Sequence, residues 1–208
     1  MQIIRIDKGL GECVLRASGA LRQGGVIIYP TDTLYGLGAD ALSDKAVAKT
    51  YTIKGRDEGK PMHAVFADLK MAEDYAEIND AARRLSEKFL PGALTLVLKK
   101  KAGLNTGVVK GIDTIGVRIP DNEFCLELAK TFGKPFTATS ANISGKVPET
   151  SLEQICKQLG TSANLVDVAI DASVFPMRPP TTVVNVVSGA PVILREGAIS
   201  SQEILTMF

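Results

Sequence analysis

Short apolar runs alternate with segments of helical period along most of the chain. The run from Val26 to Tyr29 has the length of a buried strand, whereas Leu10 to Gln23 places apolar side chains three and four positions apart. The predicted strands are Ile3 to Ile6, Val26 to Tyr29, Met62 to Phe66, Leu94 to Leu98, Ile115 to Ile119, Pro135 to Thr139, Leu165 to Ile170, Thr181 to Val187 and Pro191 to Leu194. The predicted helices are Leu10 to Gln23, Ser43 to Ile53, Asp68 to Tyr75, Asp80 to Phe89, a segment that Asp121 caps, Leu152 to Leu159 and Ser200 to Met207.

Helices scattered among the strands, with a closing hairpin near the end, indicate the α/β class. The predicted fold is one α/β domain over residues 1–208, in which helices flank a twisted sheet of parallel and antiparallel strands. A strictly doubly wound sheet is disfavoured, because that arrangement needs a helix at each crossover between strands.

The amino-acid composition restricts the possible kinds of ligand and metal site more than it restricts the fold. The 208 residues are 45% hydrophobic and carry a formal net charge of +1, which gives no global electrostatic case for a nucleic-acid or membrane binder. Cys13, Cys125 and Cys156 form no CxxC pair and are predicted to be buried free thiols, as in a reducing compartment. No run has the length of a membrane span, so the cytoplasm is the expected location. His63 is the one histidine, which leaves a zinc site of His and Cys short of ligands.

The stretch YPTDTLYGLGAD follows the Val26 to Tyr29 strand and concentrates polar groups where that strand ends. Hydroxyls of Thr31 and Thr33 suit an amino-acid ammonium or carboxylate, and Gly36 and Gly38 would allow close backbone approach of a ligand. A polar turn with glycines for backbone freedom remains the alternative.

Two further polar clusters favour a ligand site. Lys54, Arg56 and Lys60 stand close together after a helix and could clamp a triphosphate, although a solvated charged loop is the alternative. The cluster TSANISG, residues 139–145, follows a predicted strand and could hold phosphate oxygens or a base edge, or form a helix cap or an Asx-turn.

Arg118 is a charged residue in the otherwise apolar strand TIGVRIP, so it needs a carboxylate partner from the protein or from a ligand. Near the end of the chain, Thr181, Thr182 and Arg195 lie at predicted strand ends. Neither a Walker A nor a GxGxxG pattern occurs, which argues against an ordinary P-loop or Rossmann nucleotide site.

Taken together, PTDTLYGLG, KGR, GVRIPD, TSANISG, TTVVN and LREG resemble the motifs of the YrdC/Sua5 family in order and rough spacing, from about Gly24 to Gly197. The resemblance implies a mixed sheet with a large basic cavity. It also implies a nucleotidyltransferase that makes threonylcarbamoyl-adenylate and pyrophosphate from L-threonine, bicarbonate and ATP, for the modification of a tRNA adenosine.

The resemblance assigns roles residue by residue. The implied contacts to L-threonine are Thr33, Arg118, Ala138 and Thr181. The implied contacts to ATP are Arg56, Lys60, Thr114, Ser140, Asn142 and Arg195. Lys54 and Arg56 are implied to bind phosphates and bicarbonate and to be the catalytic residues. No residue is implied to bind a metal directly, and Mg²⁺ is expected to arrive with ATP.

The chain departs from the family pattern at several positions. Val65 stands where some members carry a histidine near the threonine, and His63, two residues earlier, is not assigned as a ligand. Asp57 replaces a proline that often follows KxR, and Pro148 stands where some members have a serine near the nucleotide. The threonine end of the site is therefore the part that the motifs specify least.

The remaining expectations concern partners and alternatives. The product is expected to pass to a tRNA threonylcarbamoyl transferase, with weak RNA binding, a monomer or homodimer, and no additional C-terminal domain. The alternatives are a double-stranded RNA or tRNA-binding module of the same fold, and a YciO-like paralogue with a different activity. The near-neutral charge argues against the first, and the intact KxR and SAN motifs argue against the second.

Overall fold

The computed structural model of the protein describes residues 1–57, 60–174, 176 and 178–208. The strands are β1 (Gln2–Arg5), β2 (Ile27–Tyr29), β3 (Gly36–Gly38), β4 (His63–Val65), β5 (Leu94–Lys99), β6 (Thr114–Arg118), β7 (Phe136–Ser140), β8 (Val168–Asp171), β9 (Thr182–Asn185) and β10 (Val192–Arg195). The helices are α1 (Leu10–Arg22), α2 (Asp44–Lys54), α3 (Leu69–Glu73), α4 (Asp80–Phe89), α5 (Glu123–Phe132), α6 (Leu152–Leu159) and α7 (Ser201–Leu205). Short 3₁₀ turns occupy Ile6–Lys8, Gly107–Val109 and Gly160–Leu165.

The strands form one sheet in the order β1-β8-β2-β3-β7-β4-β6-β5-β9-β10. The pairs β1–β8, β2–β8, β4–β6 and β5–β9 are parallel, and the pairs β2–β3, β3–β7, β4–β7, β5–β6 and β9–β10 are antiparallel. The prediction of a mixed sheet and of a closing β9–β10 hairpin is therefore confirmed.

Helices flank this sheet and bury its apolar side chains, as the sequence predicts. Leu85 of α4 and Leu96 of β5 belong to one core cluster. Leu21 of α1 and Phe132 of α5 belong to a second cluster, in which the two helices pack against each other. Ile155 of α6 anchors a third. The fold class is thus the expected single α/β domain.

Strand β3 and the three 3₁₀ turns are absent from the sequence-based prediction. Gly36 and Gly38 pair with Tyr29 and Ile27 of β2, and a side chain at position 36 would place its Cβ 2.6 Å from Cζ of Tyr29. The Tyr29 ring is fully buried, and its hydroxyl donates to the Thr137 carbonyl at 3.0 Å. The glycines make room for this ring, which is a packing reason for them. Gly36 also lines the candidate cavity described below, so the close approach of a ligand stays a prediction.

Replacing Gly36 with alanine is expected to lower the free energy of unfolding by about 2 kcal/mol, because a fully buried ring must shift to admit one methyl group. The matched control is Gly19→Ala, since nothing lies within 4 Å of a Cβ at this position of α1. That variant should gain about 0.5–1 kcal/mol from the higher helix propensity of alanine. Urea titration measures both changes, and equal effects would contradict the packing reason.

Two smaller predictions are corrected. The side chain that caps α5 is Asn122, which accepts from the Cys125 amide at 3.1 Å, rather than Asp121. Cys13 and Cys125 are buried free thiols as predicted, whereas Cys156 is partly exposed. Within the described part of the chain, no helix combines the length and apolar character needed to cross a membrane.

Candidate active site

A cavity of about 460 Å³ opens where polar strand ends and loops meet. β2 and β7 are each antiparallel to β3, so they run in the same direction and their carboxyl ends lie at the same edge of the sheet, on either side of β3. The predicted site residues in the lining are Thr33, Arg56, Arg118, Ala138, Ser140, Asn142, Thr181 and Arg195. The structure therefore brings together residues from six separate sequence motifs.

The loop after β2 is held in shape by the Thr31 hydroxyl. It accepts hydrogen bonds from the backbone amides of Thr33 at 3.0 Å and Leu34 at 3.1 Å, and it donates to the Leu34 carbonyl at 2.6 Å. This local network fixes the backbone and leaves the Thr33 side chain in the cavity lining. Thr31 thus has a structural role, while Thr33 is the threonine of this loop that lines the cavity.

Arg118 finds the partner that its buried position requires in Asp32. Its Nη2 donates to the Asp32 carboxylate and, at 2.7 Å, to the Thr33 hydroxyl. The two charged side chains are 11% and 9% exposed, and the other Asp32 oxygen accepts from the Asp121 amide at 3.2 Å. The Arg118 Nε is buried without a hydrogen-bond partner among the described residues. Of the two partners that the sequence left open, the structure supplies the protein carboxylate: Asp32 already orients the guanidinium, and a ligand carboxylate at Arg118 stays a prediction.

Arg195 reaches the cavity through contacts with Thr181. Its Nε and Nη2 donate to the Thr181 carbonyl at 3.2 and 2.9 Å, and Nη2 also donates to the Thr181 hydroxyl at 3.1 Å. The Thr181 hydroxyl lies 2.9 Å from that of Thr95 in β5. Burial, and the like charge of Arg118, lower the pKa of Arg195. Arg118 and Arg195 therefore both contribute positive charge to the cavity.

Lys54 and Arg56 have different surroundings although the KxR motif groups them. Arg56 lines the cavity, its Nη2 donates to the Pro61 carbonyl at 2.9 Å, and its Nε is buried without a hydrogen-bond partner in the described ranges. Lys54 is 2% exposed and is absent from the lining; its ammonium donates to the turn at Ser140 and Asn142. Arg56 therefore faces the cavity, and Lys54 faces the protein.

His63, which the sequence analysis did not assign, lies in the cavity wall, whereas Val65 is fully buried in the core. Burial, followed by the positive charges of Arg195, Arg56 and Arg118, lowers the pKa of His63 to about 4. Its imidazole is consequently neutral at pH 7 and offers the cavity one hydrogen-bond donor and one acceptor.

An NMR titration of this one histidine is expected to show no protonation between pH 5.5 and 8 in the folded protein, with a midpoint near 4. In urea the midpoint should return to about 6.5. Because the unfolded chain then binds the proton first, stability should fall as pH drops from about 6.5 towards 4. A folded-state midpoint above 6 would contradict the described environment.

Two predicted ATP contacts lie outside this cavity. Lys60 has a side chain that is 63% exposed and forms an ion pair with Asp57 at 3.9 Å. Thr114 lines an adjoining cavity of about 380 Å³ that shares Pro61, Met62, His63 and Arg195 with the first. The roles of Lys60 and Thr114 stay predictions.

Other lining residues escaped the sequence analysis. Thr95 is a buried hydroxyl within the apolar strand LTLVL, the same signal that singled out Arg118. Lys146 and Arg178 stand in loops, and their place in the lining depends on tertiary structure. Arg178 Nη1 donates to the Asp32 carbonyl at 2.9 Å, which ties the loop before β9 to the loop after β2. Pro148, which the sequence analysis did name, also lines the cavity.

The side chains give a metal ion little to bind directly. Among the described residues, those lining the cavity include no aspartate or glutamate, and no group of three or more His, Cys, Asp or Glu could hold a metal. An Mg²⁺ ion at this site would depend on oxygen ligands from the substrate and water.

Comparison with known proteins places the chain in a family. Residues 19–197 match the Sua5_yciO_yrdC family model, which carries the description "Telomere recombination". The chain belongs to this family. Among sequence relatives of the family, the threonylcarbamoyl-AMP synthase of Bacillus subtilis is 36% identical over 194 residues, which are 92% of this chain and 55% of that protein.

Solved structures of the family share the fold. Sua5 of Pyrococcus abyssi, determined in complex with L-threonine, superposes with a TM-score of 0.88 at 33% identity and covers 99% of this chain. YciO of E. coli gives a TM-score of 0.83 at 28% identity, with 98% of both chains covered. This chain spans 60% of the Pyrococcus protein, so the longer relatives carry sequence beyond the matched domain.

Proposed function

We propose that the protein is an L-threonylcarbamoyladenylate synthase, which forms threonylcarbamoyl-AMP and pyrophosphate from L-threonine, bicarbonate and ATP. The observation that carries the proposal is the presence, in one cavity, of a preoriented Arg118 with Thr33 and of the guanidinium groups of Arg56 and Arg195. The first pair suits an amino-acid carboxylate, and the second suits a polyphosphate. The name of the Bacillus relative and the L-threonine complex of the Pyrococcus relative support the same activity.

At the threonine end, the substrate carboxylate would bind the Arg118 guanidinium, whose Nη2 is held by Asp32. Thr33 and Thr181 would supply hydroxyls, and the small Ala138 side chain in the lining would leave room for the substrate. Neutral His63 faces the same space without adding a charge.

The chemistry needs two balanced steps. The deprotonated amine of threonine attacks the carbon of bicarbonate, and water leaves to give a carbamate. A carbamate oxygen then attacks the α-phosphorus of ATP, and the bond to the β-phosphate oxygen breaks to release pyrophosphate. Arg56 and Arg195 would stabilise the negative charge that develops on the phosphate oxygens. Mg²⁺ is proposed as part of the substrate, bound to the ATP oxygens.

The proposal extends to the cellular role. The product would pass to a tRNA threonylcarbamoyl transferase in the cytoplasm. Weak RNA binding and a monomeric or dimeric state remain part of the proposal. The YciO-like activity is the alternative within the same family; the intact Lys54-Gly55-Arg56 and Ser140-Ala141-Asn142 motifs favour the synthase.

Threonine-dependent release of pyrophosphate tests this function. Purified protein with MgATP and bicarbonate should release pyrophosphate when L-threonine is added, and little without it. L-Serine, which lacks the methyl group, is a matched control and should be used about tenfold less well. Release that does not depend on the amino acid would contradict the assignment and favour the YciO-like alternative.

A further inference from the structure

Lys54 is a buried cation whose hydrogen-bonding capacity is used up by the protein. It is the last residue of α2 and is 2% exposed. Its Nζ donates to the Ser140 carbonyl, to the Asn142 carbonyl at 2.9 Å and to Asn142 Oδ1 at 3.0 Å. An ammonium group has three protons, so these three acceptors leave none for a phosphate.

The acceptors belong to a turn that faces the cavity. The Ser140 hydroxyl donates to Asn142 Oδ1 at 2.6 Å, and Asn142 Nδ2 donates to the Lys146 carbonyl at 2.6 Å and to the Ile143 carbonyl at 3.1 Å. The Ser144 amide donates back to the Lys54 carbonyl at 2.8 Å. Ser140 and Asn142 line the cavity, so a change in this turn reaches the ligand.

We infer that Lys54 is a positioning residue, which acts on the nucleotide through the Ser140–Asn142 turn instead of by contact with phosphate. The inference rests on the proposed function, in which this turn binds ATP. It departs from the role that the family resemblance implies for the first residue of KxR and leaves phosphate binding to Arg56.

The electrostatic surroundings agree with this role. Burial, followed by the charge of Arg56, lowers the pKa of Lys54 to about 8. Residues 140–146 add one charged side chain, Lys146, and the 3₁₀ turns Gly107–Val109 and Gly160–Leu165, which pack against α2, carry none. A neutral amine would present a lone pair to one of the three oxygens, so the turn should loosen as pH rises through about 8.

Equilibrium binding of AMP and ATP separates positioning from phosphate contact. Lys54→Met should weaken the binding of AMP and of ATP by the same factor, about tenfold or more, because the turn would contact the AMP part that both nucleotides contain. Arg56→Met is the matched control and should weaken the binding of ATP at least ten times more than the binding of AMP. If Lys54→Met showed that ATP-selective loss, the inference would be overturned.

A readout without ligand keeps the inference testable if the proposed function fails. Hydrogen exchange at the Ser144 and Lys146 amides should accelerate at least tenfold in Lys54→Met, while the amides of α4 keep their protection. Unchanged exchange in the turn would overturn the inference even if ATP binds. Wild-type protein that binds no nucleotide would instead refute the proposed function.

Lys54→Arg covers the case in which the methionine variant does not fold, since it keeps the charge and does not deprotonate. Between pH 7.5 and 9.5, nucleotide affinity of the wild type should fall through about pH 8, and that of Lys54→Arg should stay flat. An alkaline loss that is identical in both proteins would contradict the inference.

Discussion

Arg118→Ala is expected to lower kcat/KM for L-threonine about a thousandfold, while the Kd for ATP changes less than threefold. Two charge-assisted hydrogen bonds from a guanidinium to a carboxylate are worth about 2 kcal/mol each, and about 4 kcal/mol corresponds to this factor. The effect is confined to threonine because Asp32 and Thr33 hold Arg118 at that end of the cavity. Initial rates at varied threonine, with ATP binding by calorimetry, measure the two quantities. Equal losses for both ligands would count against the assignment.

The same variant should lose about 3 kcal/mol of stability, because Asp32 would remain as an unpaired charge with a side chain that is 9% exposed. The double variant Arg118→Met with Asp32→Asn removes both charges and should recover most of the stability without recovering threonine use. The exposed pair Arg5–Asp7 is a matched control: both side chains are 59% exposed, so Arg5→Ala should cost less than about 1 kcal/mol. Full recovery of activity in the double variant would disprove the role of Arg118 in binding.

Arg195→Met is expected to raise the Kd for ATP about a hundredfold. The Arg195 guanidinium places a positive charge in the cavity and donates two hydrogen bonds to the Thr181 carbonyl. Methionine removes both the charge and the hydrogen bonds that hold Thr181 just before β9. The loss corresponds to about 2–3 kcal/mol, as for a charged hydrogen bond to an anionic ligand. Threonine affinity should fall as well, by less than tenfold, because the Thr181 hydroxyl keeps its contact with Thr95.

The control for Arg195 is Lys99→Met, which removes a cation of β5 that is 59% exposed, pairs with Glu77 and is absent from the cavity lining. It should leave both affinities unchanged. Arg195→Lys should recover part of the ATP affinity, since lysine keeps the charge without the planar fork. An ATP affinity of Arg195→Met equal to that of Lys99→Met would contradict the proposed phosphate contact.

The elements that local chemistry determines were predicted well. Helix α4 occupies Asp80–Phe89 as predicted, because its apolar period is regular and Asn79 caps it at the Ala82 amide. Strand β3 was missed because its Gly-Leu-Gly sequence has low strand propensity. It exists because β2 and β7 both pair with it and because Tyr29 needs the space above its glycines.

The candidate site likewise has features that the local sequence predicts and features that only tertiary structure determines. Arg118 could be singled out from sequence because a charge in an apolar strand needs a partner, but the identity of that partner, 86 residues away, comes from tertiary structure. Likewise, the KxR spacing puts Lys54 and Arg56 in one motif. In the structure, the Lys54 side chain hydrogen-bonds the turn at Asn142, whereas the Arg56 side chain lines the cavity. Spacing alone does not contain that difference.

In the proposed reaction, one cavity joins threonine, bicarbonate and the AMP part of ATP. Mass spectrometry of a reaction with ¹³C-bicarbonate, L-threonine and MgATP tests it most directly, with CO₂-depleted buffer as the control. The expected product is a threonine-containing adenylate that carries one ¹³C atom and forms in equal amount with pyrophosphate. An adenylate without the label, or pyrophosphate without an adenylate, would contradict it.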